Sequence, residues 1–197
     1  PMQMTELFEP FNYGRGISAG DFNLDQWPDV VMAYRDHVSI YQNIGGLFKE
    51  ALSLQFGASL SPMLVALADL NSDAWPELFV SFYGGESRVY VNNQGVFDAQ
   101  TYTSLKPDGH NLSLSVGFAD PDKDGDLDMV LGGWSFGDLR HFNPVMSQNY
   151  FAENITSPGS DVPAFKLEPL KGVQGETLSV LLSDLNNDGV SDLVIAN

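Results

Sequence analysis

The chain has 197 residues, with 9 Lys and Arg against 26 Asp and Glu, a formal net charge of −17, 43% hydrophobic residues and no Cys. That apolar share supports a packed core despite the charge, and the length suits one domain or part of one. The acidity excludes nucleic acid as a partner, since phosphate binding needs clustered Lys and Arg, and the missing Cys excludes disulfides and thiol chemistry.

In chain order, the first predicted element is the short alternating run Ile17/Ala19, closed by Gly20. An acidic stretch, Asp21 to Asp29 (DFNLDQWPD), follows, then the apolar run VVMA ending at Ala33. A third run, SIYQN, ends at Asn43, and Phe48 opens a fourth in which Leu52, Leu54 and Phe56 alternate with period two, as in a strand. The second unit repeats this order: Val65/Leu67, Ala68, the stretch Asp69 to Glu77 (DLNSDAWPE), LFVS to Ser81, YVNN to Asn93, then Phe97. The third has Val116/Phe118, Ala119, Asp120 to Asp128 (DPDKDGDLD), MVLG to Gly132, NYFAEN to Asn154, and Phe165. The fourth begins with Val180/Leu182, Ser183, Asp184 to Asp192 (DLNNDGVSD) and LVIA to Ala196, and stops there.

These runs are short, rich in β-branched and aromatic residues, and bounded by Gly, Asn and Pro, so they predict strands. Each unit reads strand, acidic loop, strand, hairpin, strand, strand: a four-stranded antiparallel blade. First acids recur at 21, 69, 120 and 184, a period of about fifty residues that points to propeller blades. The expected fold is all-β, a β-propeller fragment with three full blades at about 14–56, 57–105 and 106–170 and a partial blade at 171–197. Such a fragment would be completed by further blades of its parent chain or by another chain. Two stretches in the third unit, 135–147 and 155–163, are rich in turn formers and read as surface loops available to a partner. No apolar run reaches the length of a membrane span. Residues 1–14 lack a basic-then-apolar leader.

Fourteen of the 26 acids fall in the four nine-residue stretches. Each has an acid at positions 1, 5 and 9 and Asn or Asp at position 3. Two carboxylates about 4 Å apart repel by roughly 1 kcal/mol even in water, so a register kept four times calls for an ionic partner. Converging oxygens of this kind suit a hard divalent cation. The start of the motif matches a helical calcium loop. That motif, however, needs a Glu at position 12 between helices, where this chain has Met32, Val80, Leu131 and Ile195 within strand-like runs.

The units resemble FG-GAP/VCBS-type repeats, found in the propeller heads of integrin α subunits and in cartilage-acidic-protein-like secreted propellers. The resemblance implies Ca²⁺, up to four ions, held by side chains at positions 1, 3, 5 and 9 and the carbonyl at 7. The implied ligands are Asp21, Asn23, Asp25, Asp29 and the carbonyl of Trp27; Asp69, Asn71, Asp73, Glu77 and the carbonyl of Trp75; Asp120, Asp122, Asp124, Asp128 and the carbonyl of Asp126; and Asp184, Asn186, Asp188, Asp192 and the carbonyl of Val190. The family favours Gly at position 6. Gly125 and Gly189 match, whereas Gln26 and Ala74 depart from it. The second loop is therefore the weakest candidate site, and the third, with the most carboxylates, the tightest.

The resemblance implies a non-catalytic, calcium-rigidified extracellular scaffold that presents loops to a protein or glycan partner. A rival expectation is a polysaccharide lyase-like enzyme on a similar propeller, which would need convergent His, Lys, Arg or Tyr. Nine scattered basic residues and the separated His37, His110 and His141 weigh against it. A third is a subunit of a larger assembly, with its open blade edge paired to another chain. The sequence from Gly133 to Gly137 spells G-x-S-x-G, but a nucleophile elbow needs a following helix and none is predicted. The triplets beginning at Asn111 and Asn154 are glycosylation sequons.

Overall fold

The computed structural model describes residues 15–57, 59–83, 85–106, 111–135, 148–172 and 176–197. Among these there are only strands, turns and bends, so the all-β expectation holds. The chain forms β1 (Ile17–Gly20), β2 (Asp29–Ala33), β3 (His37–Ile44), β4 (Leu47–Gln55), β5 (Ser61–Ala68), β6 (Glu77–Tyr83), β7 (Ser87–Asn92), β8 (Phe97–Leu105), β9 (Asn111–Ala119), β10 (Asp128–Ser135), β11 (Tyr150–Asn154), β12 (Phe165–Pro169), β13 (Ser179–Ser183) and β14 (Asp192–Ala196). Three four-stranded antiparallel sheets, β1–β4, β5–β8 and β9–β12, are followed by the β13–β14 pair. They are sequential blades of a β-propeller fragment. Strands β1, β5, β9 and β13 lie side by side from sheet to sheet, and the array does not close into a ring.

Each interface between blades is a separate core. Val31, Val38, Ile40 and Leu54 of the first blade pack on Val65, Leu78, Val80 and Tyr90 of the second. On the far face of the second blade, Phe79, Val89 and Leu105 meet Met129, Leu131, Tyr150 and Ala152 of the third. The second blade is covered on both sides, so six consecutive residues of β6 are buried, whereas β2 alternates buried and half-buried. Adjacent residues of a strand point to opposite faces, so that contrast shows which blade face has a neighbour.

The small residues around the acidic stretches mark close approach between blades. A Cβ on Gly20 would stand 3.1 Å from Leu67, and one on Gly132 would stand 2.8 Å from Thr177. At Gly133, beside a register shift in the β9–β10 pairing, a Cβ would fall 2.3 Å from the carbonyl oxygen of Gln148. Gly133 lies within β10 rather than at a strand-to-helix elbow. The residues 136–147, including His141 and most of the predicted 135–147 loop, lie outside the described residues, as does His110.

The 155–163 loop is exposed over most of its length, as expected of a surface loop, but it is tethered. It folds back over the second blade: Asn71 Nδ2 donates to the Asp161 carbonyl at 3.0 Å, and the Thr103 hydroxyl donates to the Pro163 carbonyl. Thr156 donates through both its amide and its hydroxyl to Asn154 Oδ1. Asn154 is 4% exposed, and its amide nitrogen donates to two carbonyls, so that sequon is closed to glycosylation.

Candidate metal centres in the acidic loops

All four acidic loops fold the same way because their side chains accept from their own backbone, as Asx-type turns do. The position 1 carboxylate takes the amides of positions 5 and 6. Asp21 Oδ1 accepts from Asp25 N at 3.0 Å and Oδ2 from Gln26 N at 2.7 Å. Asp69, Asp120 and Asp184 repeat the pair with Asp73 and Ala74, Asp124 and Gly125, and Asp188 and Gly189. Position 3 also accepts from the position 5 amide, at Asn23, Asn71, Asp122 and Asn186. Position 5 accepts from the position 7 amide, at Asp25, Asp73, Asp124 and Asp188. Side chains 1, 3 and 5 thereby share one turn of the loop, and in the first and second loops the position 3 amide also donates to the position 5 carboxylate, from Asn23 to Asp25 and from Asn71 to Asp73.

The winding forces two left-handed residues per loop. Position 6 has φ of +72° at Gln26 and +75° at Ala74, where the other loops have Gly125 and Gly189. Position 4, where no residue type recurs in the sequence, is also left-handed, at Leu24, Ser72, Lys123 and Asn187. Residues other than Gly and Asn pay about 1–2 kcal/mol there, so five of these eight positions, Leu24, Gln26, Ser72, Ala74 and Lys123, are strained.

Position 9 stands apart. Asp29 and Glu77 are 0% exposed and Asp128 is 2% exposed. Each reaches from the start of the second strand to the end of the third: Asp29 Oδ1 accepts from Asn43 N at 2.8 Å, Glu77 Oε1 from Asn92 N at 3.3 Å, and Asp128 Oδ1 from Asn154 N at 2.7 Å. The other oxygen accepts the position 2 amide, from Phe22, Leu70 or Leu185 to Asp29, Glu77 or Asp192. In the third loop position 2 is Pro121, which has no N–H. Asp128 Oδ2 is left buried with no hydrogen-bond partner.

The third loop therefore gathers the most unneutralised charge. Oxygens of Asp120, Asp122 and Asp124 all lie within 4.8 Å of one another. Asp126 Oδ1 is also buried without a hydrogen-bond partner. Burial, reinforced by Asp124, Asp128, Asp122 and Asp120, pushes the Asp126 carboxyl up to about 6. Burial likewise raises Asp128, against the pull of the Asn154 amide, and raises Asp29, against those of Asn43 and Phe22. Burial pushes Glu77 up to about 7. In the first loop the Gln42 amide, bonded to Asp25 at 3.0 Å, lowers that carboxyl. Buried acids and orphaned oxygens of this type fit a divalent cation. A cleft of about 360 Å³ runs between the second and third loops, lined in part by Asn71, Asp124, Asp126 and Thr156.

Trp27 and Trp75 take different surroundings. Trp27 is 51% exposed, while Trp75 is half-buried near Gly95 of the β7–β8 turn. The recurrent Asn proves structural. The third apolar run of each unit ends in the sequence at Asn43, Asn93 and Asn154. In the second blade the equivalent is Asn92, because Asn92 pairs with Phe97 as Asn43 pairs with Phe48.

The profile of the FG-GAP-like repeat matches residues 21–80 and 69–131, more than half of the chain. The chain belongs to the FG-GAP-like repeat family. Its curated relatives include the KICSTOR complex protein ITFG2 of Mus musculus, 24% identical over 148 residues, and of Bos taurus, 25% identical over 149. Each match takes in 75% of this chain but only 31% and 26% of the relatives, so this FG-GAP-like chain spans about a third or less of their length. Both relatives carry the name of a protein complex. That likeness overturns two expectations drawn from the secreted propellers: it points away from an extracellular setting and from a glycan partner. At the coarse level, the family and its relatives mark a non-catalytic interaction scaffold. No helix among the described residues is long and apolar enough to cross a membrane.

Proposed function

We propose that the chain is a calcium-stiffened scaffold that takes part in a protein assembly. The observation that carries the reading is the third loop: three carboxylates converge within 4.8 Å above a buried Asp128 whose second oxygen has no partner. Ligands would be the side chains at positions 1, 3, 5 and 9 and the carbonyl at 7, in up to four loops. A bound Ca²⁺ would neutralise that charge and fasten the first strand of each blade to the second. The protein's own residues extend the tie: position 9 joins the second strand to the third, so the whole blade end is held. The relatives' membership of a complex supports a protein as the partner.

The test is a thermal melt with calcium and with excess EGTA, paired with calorimetric titration. An ion bound only by the folded state at about 100 times Kd adds about 2.7 kcal/mol per site. The melting temperature should therefore fall by more than about ten degrees on chelation. Identical melts, with no titration heat, would overturn the calcium reading.

A further inference from the structure

The acidic loops of neighbouring blades share hydrogen-bonded residues. In the second loop, Leu70 at position 2 donates its amide to Glu77 Oε2 at 2.9 Å, and its carbonyl accepts from Asn154 Nδ2 of the third blade at 2.9 Å. The main-chain amide of Asn154 donates in turn to Asp128 Oδ1 of the third loop at 2.7 Å. The first two blades repeat this order. Phe22 donates to Asp29 Oδ2 at 3.2 Å and accepts from Asn92 Nδ2 at 2.9 Å, and the amide of Asn92 donates to Glu77 Oε1 at 3.3 Å. A continuous run of hydrogen bonds therefore joins Asp29 to Glu77 through Phe22 and Asn92, and Glu77 to Asp128 through Leu70 and Asn154.

The linking residues are buried. Phe22 and Asn154 are 4% exposed, Asn92 is 2% exposed and Leu70 is 0% exposed, so water offers these groups no substitute partner. Each Asn also holds its own loop. Asn92 Nδ2 donates to the Pro76 carbonyl and Asn154 Nδ2 to that of Leu127, as Asn43 Nδ2 does to that of Pro28. Rotation of Asn92 or Asn154 would thus break bonds to two loops at once.

We infer that Asn92 and Asn154 are positioning residues that couple calcium binding between neighbouring loops, so that an ion in one raises the affinity of the next. The inference rests on calcium filling these loops. A filled loop fixes its position 9 acid. Through that acid it fixes the Asn and the position 2 residue on which the neighbouring loop also depends. The first ion meets this ordering cost and the second does not, which is positive cooperativity. Linkage makes the effect reciprocal. Direct electrostatics has the opposite sign, because two cations repel, and it is screened beyond about 8 Å at physiological salt.

Two-dimensional amide NMR spectra read each loop separately, through the Gln26, Ala74 and Gly125 amides that donate to Asp21, Asp69 and Asp120. A calcium titration at about 0.15 M salt gives a midpoint for each loop. Asp73→Asn, which weakens the second loop, should raise the third loop's midpoint at least about fivefold. Asp124→Asn should raise the second loop's midpoint by a similar factor. In an Asn154→Ala background both effects should vanish, while the coupling of the first loop to the second, read with Asp25→Asn, persists. Asn92→Ala should give the reverse pattern. A general loss of stability would move both pairs together, and Asn92→Ala carries the test if Asn154→Ala does not fold. Loops that bind calcium with midpoints indifferent to their neighbours would overturn the coupling and leave the calcium reading intact. Coupling that survives Asn92→Ala and Asn154→Ala would overturn it as well. Amides that ignore calcium would overturn both.

Discussion

Asn92 donates its side-chain amide to the carbonyl of Phe22 at 2.9 Å, across seventy residues of sequence and from one blade to the next. The same nitrogen donates to the Pro76 carbonyl at 3.0 Å, while Oδ1 accepts from the Gly95 amide at 2.7 Å. One side chain thus holds its own acidic loop, its own hairpin turn and the neighbouring blade. Its backbone amide also bonds to Glu77.

Asn92→Ala should destabilise the fold by about 2–3 kcal/mol, because it leaves two acceptors near a buried interface without donors. Asn92→Asp should cost more, since a carboxylate would face two carbonyl oxygens. Asn43→Ala, with one carbonyl to lose, should cost about 1 kcal/mol. Urea unfolding of the three variants checks the order. Equal losses at 43 and 92 would show that the contact between blades contributes nothing.

Backbone strain predicts an opposite effect. Ala74 holds φ at +75°, a conformation that Gly adopts freely. Relief of about 1–2 kcal/mol exceeds the entropic cost of Gly, about 0.5–1 kcal/mol. Ala74→Gly should therefore stabilise the chain by about 0.5–1 kcal/mol. Denaturant midpoints in the absence of calcium measure it, and a destabilised Ala74→Gly would refute the strain argument.

The repeated acids at positions 1 and 5, with Asn or Asp at position 3 between them, were legible in the sequence because their spacing survives translation into a loop unchanged. So were the strands, whose period-two runs are long enough to show. The role of position 9 was only half visible. Its spacing marked it, but its bonds to Asn43, Asn92 and Asn154 depend on a pairing register that no local pattern encodes. Asn92, and not the run-ending Asn93, takes this place for the same reason: two adjacent Asn are indistinguishable until Phe97 fixes the register. Left-handed Leu24 and Lys123 gave no signal, since neither is a turn-forming residue. Pro121 could be read, but its effect on Asp128 appears only once the Phe22–Asp29 and Leu70–Glu77 bonds are known.

The loops should differ in calcium affinity. The third has carboxylates at all four side-chain positions, with Asp126 adjacent, while the first, second and fourth have Asn at position 3. Ligand charge tunes affinity in oxygen cages. Asp122→Asn should therefore weaken the tightest step of a calorimetric calcium titration by about tenfold, and Asn186→Ala should leave that step unchanged. A tightest step indifferent to Asp122→Asn would place the strongest site elsewhere.

Without calcium, acidity should stabilise the fold through Glu77. Burial lifts its carboxyl from the usual 4.5 to about 7, with Leu70 and Asn92 amides opposing and Asp73 and Asp69 adding to the rise. A carboxyl raised in the folded state binds its proton more tightly folded than unfolded, so its contribution is complete below pH 4.5 and is lost as pH climbs through 7. Asp29 and Asp128, also raised by burial, act with the same sign. The gap from 4.5 to about 7 corresponds to at most about 3 kcal/mol. In EGTA the melting temperature should fall between pH 5 and 7.5, and Glu77→Gln, which keeps the shape without the charge, should flatten that slope. Calcium should reverse it, because a cation needs these carboxyls deprotonated. A metal-free wild type that gains stability over the same range would show that the buried carboxylates are held charged by something other than an ion.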